Sequence, residues 1–364
     1  MQYLFELGHQ PHISIAELES VFSGQKIKHN IISKENKYII LEADKLDVEK
    51  LINQLGGTIK IGTAIKQTGD DIKTISSFLN KNNEGKIHFS VPDKKLGLSI
   101  KKELKSLGRS VRYVEAKNAA TILHNNLIEK QGDFTIVNNK IFVTIALQPF
   151  EEMSKRDYDR PGSDDFSGML PPKLAKIMIN LSGINPKQAL LDPFCGSGTI
   201  LTEALAMGHK NIFGSDVSEK AISDTEKNLE WLIQEYDLDS LDYQLIESDA
   251  VKLNTELKSE SIDAIISEPY MGKTLRGSET REQLEEQAHD LGKLYINSFK
   301  SLHKILKKNG MVIFIIPQFK HKDEWVRINC IEEIIKIGFE LLPFEKNKSL
   351  LSTETTCRKK YLEI

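Results

Sequence analysis

The sequence predicts an α/β protein, a doubly wound and mostly parallel sheet preceded by smaller α+β units. Three observations predict it. From Leu174 onward, short and continuously apolar runs at 189–192, 212–215, 262–266 and 311–316 alternate with longer helical stretches. Strands without apolar/polar alternation are buried on both faces, as in a parallel sheet covered by helices. The half before residue 150 reads differently, as shorter strands and helices in alternation. Finally, Gly196-Ser197-Gly198 joins the first apolar run to a helix over 200–207, a glycine turn between strand and helix.

The elements follow in order. Residues 3–7 read as a strand, and Ser14 opens a helix with Ile15, Leu18, Val21 and Phe22 at helical spacing. Ser14 with Glu17 three positions on fits a capping box. Strands near 26–29 and 37–41 and a helix near 46–55 complete a first unit, 1–56. A second, 57–148, has strands near 58–65, 87–91, 110–114, 134–137 and 141–146. Its helices fall near 72–79, 98–107 and 119–128. The run Arg156-Asp-Tyr-Asp-Arg-Pro-Gly-Ser-Asp-Asp165 is charged and aperiodic, which reads as a linker over 149–168. The last domain is then 169–364. A chain of 364 residues exceeds the roughly 250–300 at which single cores stop growing, so several domains are expected.

Composition excludes some classes. The run at 311–317 is far too short to span a membrane, and Glu6, Glu17 and Glu19 interrupt any signal peptide. Cys195, Cys330 and Cys357 lie far apart, without zinc or disulfide spacing. A reduced, cytoplasmic protein without a metal is expected. The net charge of −3 argues against nucleic acid. Locally, however, Lys94, Lys95, Lys101, Lys102, Lys105, Arg109, Arg112 and Lys117 cluster around one helix. Lys101, Lys102 and Lys105 share a face there, suited to phosphates.

The chemistry concentrates in four places. In Leu191-Asp192-Pro193-Phe194-Cys195-Gly196-Ser197-Gly198-Thr199 the glycines let the backbone approach a ligand, ahead of free N–H groups at a helix start. Asp192 can meet an ammonium such as that of S-adenosylmethionine, and the loop lacks the Gly-Lys-Ser/Thr ending of a P-loop. Asp216, with Val217, ends the second strand 24 positions on, where an acidic side chain accepts from ribose hydroxyls. A helix cap is its alternative role. Asp249 and Ala250 follow the third strand, and Asp249 can accept from an adenine amino group. The fourth place, Ser267-Glu268-Pro269-Tyr270, ends a buried strand and resembles the motif of amino methyltransferases, enzymes whose acceptor is an exocyclic amine. A conjugated exocyclic amine is a poor nucleophile, so acceptors must hold its hydrogens and aim its lone pair at the methyl group. Either Ser267 or Glu268 can do so, a proline-held carbonyl assists, and Tyr270 can stack on a base. Lys273 and Arg276, in the glycine-containing segment that follows, suit a mobile substrate loop.

The last motif resembles the Asp/Asn/Ser-Pro-Pro-aromatic motif of amino methyltransferases, with Glu268 in place of the first proline. Taken with Tyr3-Leu-Phe-Glu-Leu-Gly8 and Leu104-Lys-Ser-Leu-Gly-Arg-Ser-Val-Arg-Tyr113, the chain resembles the THUMP-domain RNA methyltransferases, in particular the tRNA guanine-10 N2-methyltransferase family. The most specific match is Arg156-Asp157-Tyr158, Arg160-Pro161 and Gly168-Met-Leu-Pro-Pro-Lys-Leu-Ala175. The resemblance implies a ferredoxin-like unit, a THUMP RNA-binding domain and a Rossmann-like methyltransferase domain. Pro171, Pro172 and Lys173 become pocket residues, and the lysine-rich helix an RNA contact. It also implies a tRNA substrate, with independent action preferred over the alternative of a small activating protein partner. No cysteine or histidine is spaced as a nucleophile or metal ligand, so direct transfer without metal or covalent intermediate is expected. Rival readings are a ribosomal RNA guanine methyltransferase, a DNA amino-methyltransferase and a non-catalytic RNA-binding protein.

Overall fold

The computed structural model describes residues 1–35, 37–162, 169–238 and 243–342. Gly168, Cys357 and the end of the expected linker lie outside the described residues. The chain forms two compact units: residues 1–11 with 26–149, and residues 12–25 with 150–364.

The first unit contains β1 (Gln2–Leu7), β2 (His29–Lys34), β3 (Tyr38–Ala43), α2 (Val48–Gln54), β4 (Thr58–Ala64), α3 (Asp71–Asn82), β5 (Ile87–Phe89), α4 (Lys94–Ser106), β6 (Val111–Tyr113), α5 (Ala119–His124), β7 (Phe134–Val137) and β8 (Lys140–Leu147). Six strands form one antiparallel sheet in the order β2-β3-β1-β4-β8-β7. The strands expected in two small units are thus hydrogen-bonded to one another, Tyr3 opposite Thr63. A separate parallel pair, β5-β6, packs with α3 and α4 on a core of Ile75, Phe89, Ile100, Leu104 and Phe134. The strand expected near 26–29 begins at His29 instead, because Lys26 turns the chain with a left-handed φ of 54°.

The second unit takes α1 (Pro11–Gly24), then α6 (Phe150–Tyr158), α7 (Pro172–Ser182), β9 (Leu190–Asp192), α8 (Thr199–Ala206), β10 (Ile212–Asp216), α9 (Glu219–Glu235), β11 (Tyr243–Glu247), α10 (Leu253–Glu256), β12 (Ile262–Ser267), α11 (Arg281–Ile305), β13 (Leu306–Phe314), β14 (Gln318–His321), β15 (Glu324–Arg327) and α12 (Ile331–Ile337). Its five-stranded sheet runs β11-β10-β9-β12-β13, every pairing parallel. Successive side chains of a strand point to opposite faces. Leu190, Ala264 and Ile266 therefore join Ala175, Ile200 and Leu229 on one side, while Ala189, Leu191 and Ile265 join Leu302 and Ile305 on the other. This is the doubly wound sheet that the apolar runs predict.

Two helices differ from expectation. α1 starts at Pro11, a residue preorganised for a first helical turn, so Ser14 and Glu17 are not a capping box but buried positions inside the helix. Asn180 of α7 donates to Glu17 at 2.7 Å, and Ser20 donates to the Asn180 carbonyl at 2.7 Å. α6 occupies part of the expected linker. Its buried cation Arg156 donates from Nε and Nη2 to both carboxylate oxygens of Glu203, at 2.6 and 3.2 Å, a pairing that apolar periodicity cannot reveal. Among the described residues no helix is long and apolar enough to cross a membrane.

Candidate active site

β9 ends in Asp192 and β12 in Ser267, and the strands pair in parallel with Ile265 opposite Leu191. β10 lies on the far side of β9, so strand order reverses here. Open α/β sheets bind ligands in the crevice outside the strand carboxyl ends at such a reversal. Asp192, Asp216 and Asp249 stand at or just past the ends of β9, β10 and β11.

Asp192 is 2% exposed. Its Oδ1 accepts from the Ser267 hydroxyl at 2.7 Å and from the Phe194 N–H at 3.1 Å. Burial pushes the carboxyl up to about 7; these two donors oppose the shift, while Asp216 and Glu268 add to it. Asp216 accepts from the N–H groups of Gly196 at 3.0 Å and Ser218 at 2.9 Å. The N-cap of α9 is Ser218, so Asp216 does not fill that alternative role but braces the loop. Asp249 caps a short 3-10 turn, Ala250–Lys252, accepting from Val251 at 3.1 Å.

The loop between β9 and α8 needs its glycines: Gly196 and Gly198 sit at φ 53° and 82°. A Cβ on Gly198 would stand 2.8 Å from the Thr225 methyl. Thr225 donates to the Gly196 carbonyl and Asn228 to the Ser197 carbonyl, each at 2.7 Å. Sequence reasoning missed both; the available signal was a pair of uncharged polar residues three apart on the face of α9 that carries Leu229 and Leu232. Arg160, marked in the sequence only as part of the family match, donates to Thr199 Oγ1 at 2.6 Å while itself buried. Cys195 is buried, its thiol pushed well up by that burial, and it packs in the core rather than facing a substrate. Pro171, Pro172 and Lys173 open α7, which packs on α8; Pro172 is buried, and Lys173 is exposed with its ammonium pushed down by partial burial. Pro193 is buried, and Val217 projects an apolar surface that is 72% exposed. Carboxylates for an ammonium, a ribose and an amino group, a glycine backbone and a free apolar surface fit S-adenosylmethionine.

Past β12 the side chains part. Ser267 is fully buried, Glu268 is half-buried, Pro269 is buried and Tyr270 is 54% exposed. The Tyr270 carbonyl accepts from the Tyr295 hydroxyl of α11 at 2.8 Å, a buried anchor the sequence did not disclose.

A family model described as the RMKL-like methyltransferase domain matches residues 161–334. Another, described as DNA methylase, matches residues 21–227, a stretch that includes the Asp192 loop and stops short of Ser267. The chain is 28% identical to a tRNA (guanine(10)-N2)-dimethyltransferase of Methanothermobacter thermautotrophicus, over 85% of this chain and 86% of that protein. Identity to a protein of the same name from Pyrococcus abyssi is 26%, over 79% and 83%. The chain belongs to the methyltransferases, the class that both family models describe. Within it, the chain is similar to RNA guanine-N2 methyltransferases. The crystal structure of TrmN from Thermus thermophilus shares the fold, with TM-score 0.52 and 16% identity over 86% of this chain and 89% of that one.

In this methyltransferase the cations marked by the sequence occur in both units. Lys102 and Lys105 of α4 and Arg112 of β6 are exposed and Lys101 is half-buried, while Ile100 and Leu104 face the core. Arg109 differs. Its guanidinium donates to Asn80 Oδ1 at 2.7 Å and to the carbonyls of Asn80, Asn83 and Gly85, fastening the end of α3. Lys273 and Arg276 are exposed, but their loop is held at two points. Gln287 accepts from Lys273 N at 3.2 Å, and Glu279 accepts from Arg276 N and Gly277 N at 2.5 and 2.8 Å.

Proposed function

We propose that this protein transfers a methyl group from S-adenosylmethionine to the exocyclic N2 of a guanine in tRNA, at position 10. The observation that carries the reading is the meeting of the acidic cofactor set with Glu268-Pro269-Tyr270 where the strand order reverses. The names of the relatives support the nucleoside and its position. Asp192 takes the ammonium of the cofactor, Asp216 its ribose, Asp249 its adenine amino group, and Gly196 to Gly198 let it lie close to the backbone. The bound cofactor supplies an electrophilic methyl group. Glu268, rather than the buried Ser267, accepts the amine hydrogens and takes the proton that nitrogen loses as its bond to carbon forms. Pro269 fixes the turn, and the exposed Tyr270 stacks on the extruded base. Lys101, Lys102, Lys105 and Arg112 contact phosphates, with Lys273 and Arg276 beside the target strand. Arg109 keeps a structural role. We read the site of action as cytoplasmic and the enzyme as acting alone.

A second reading, methylation of a DNA amino group, is favoured by the match described as DNA methylase. Labelled methyl transfer to unmodified tRNA, ribosomal RNA and DNA, followed by nucleoside analysis, separates the two. The expected product is N2-methylguanosine in tRNA, lost when guanosine 10 is replaced. Glu268→Gln should lower kcat about a hundredfold while leaving cofactor affinity intact. Label in DNA or ribosomal RNA alone would overturn the reading.

A further inference from the structure

Register brings the ends of β9 and β12 side by side: Ala264 lies opposite Leu190 and Ile265 opposite Leu191, so the next positions carry Asp192 and, one further, Ser267. Both side chains are buried, Asp192 at 2% exposure and Ser267 at 0%. A serine hydroxyl has one hydrogen to give, and this one is given to Asp192 Oδ1 at 2.7 Å. The same oxygen accepts from the Phe194 backbone at 3.1 Å, so among the described residues Ser267 is the side chain that donates to this carboxylate. A hydroxyl committed in this way, and out of solvent, is badly placed to hold a substrate amine.

We infer that Ser267 is a positioning residue for cofactor binding, whose hydroxyl orients the Asp192 carboxylate and holds it in the charged form that meets the cofactor's ammonium. The inference rests on the reading of Asp192 as the ammonium partner. Its chemistry follows from the surroundings. A carboxylate removed from water favours its neutral form, and like charges nearby add to that preference. The acidic groups around Asp192 are Asp216 at the end of β10, Glu268 just past β12, and the Cys195 thiol in the loop. The Ser267 hydroxyl opposes all of them, and charge-assisted hydrogen bonds are the stronger kind. It also explains why a strand that delivers Glu268 to the methyl acceptor ends in a residue facing the other way. The end of β12 thus contributes to both halves of the site, Ser267 towards the cofactor loop and Glu268 towards the base.

The test is calorimetric titration of the full-length protein with S-adenosylhomocysteine, which keeps the ammonium, from pH 6 to 9. Wild type, Ser267→Ala and Ser267→Thr are compared. Wild-type affinity should rise as pH passes about 7 and Asp192 ionises. Losing a hydrogen bond to a charged group shifts an equilibrium by about ten- to a hundredfold, so in Ser267→Ala that midpoint should move up by about one to two pH units. Affinity should then be weakened about tenfold or more near pH 7 and recover by pH 9. Ser267→Thr, which keeps the hydroxyl, should follow the wild-type curve. An unmoved midpoint in Ser267→Ala, or a loss that high pH does not reverse, overturns the assignment alone. Absence of binding by the wild type at every pH would overturn the cofactor reading and this assignment with it.

Discussion

Asp192 puts a pH signature on the stability of the free protein. Its folded carboxyl titrates at about 7, well above the ordinary value of about 4. Between those values the unfolded chain has released the proton that the folded chain still holds. Stability therefore falls as pH rises through that window, the reverse of a salt-bridged carboxylate. Thermal melts of cofactor-free protein between pH 4.5 and 7.5 should show this slope, and Asp192→Asn should flatten it. Comparison with the variant cancels His209, whose burial lowers its pKa to about 4 and acts in the opposite direction. Parallel curves for the two proteins would refute the prediction. At this scale the acidic residues were legible because each follows an apolar run. Ser267 was also legible, but its bond to Asp192 was not, because the two lie 75 positions apart and meet only through strand pairing.

Among the elements, α4 carries the clearest expectation. Its apolar residues anchor it and its exposed lysines face outward, so charge can be reversed without touching the core. Lys102→Glu with Lys105→Glu should weaken tRNA binding and leave cofactor affinity unchanged. For each lost phosphate contact the slope of log affinity against log salt should fall by about 0.7 to 0.9. An unchanged slope in a salt titration would remove α4 from the RNA interface. The helix itself was readable from spacing, since Ile100 and Leu104 sit four apart. The separate role of Arg109 was not, because its acceptors are backbone carbonyls that any sequence would supply. α6 was misread for a related reason: of its two buried side chains one is a cation, and distant partners, Glu203 47 positions on and the Tyr236 hydroxyl, make that burial tolerable.

At the level of the whole molecule, the parallel sheet was legible in its apolar runs, whereas the destination of α1 was not, because its apolar residues say that it packs but not on what. The helix is made early in the chain and belongs to the second unit. It buries Ile13, Ile15, Leu18, Val21 and Phe22, each worth about 1.5–3 kcal/mol against a typical total stability of about 5–15 kcal/mol. A fragment starting at residue 150 should therefore fail to melt cooperatively, and adding a peptide of residues 11–25 should restore a transition. A stable fragment without the peptide would show that α1 is dispensable.

The position of α1 also sets a clock on synthesis. Glu17 must wait for Asn180, 163 positions later, which at about 5–20 residues per second is roughly 8 to 33 seconds of translation. Helices form within microseconds, so for nearly all of that interval the nascent chain holds an apolar helical segment without its α7 partner. Sheet strands made after it can pair in the meantime. The first helix to leave the ribosome is thus among the last to dock, and the catalytic unit closes only when the chain returns to its own beginning.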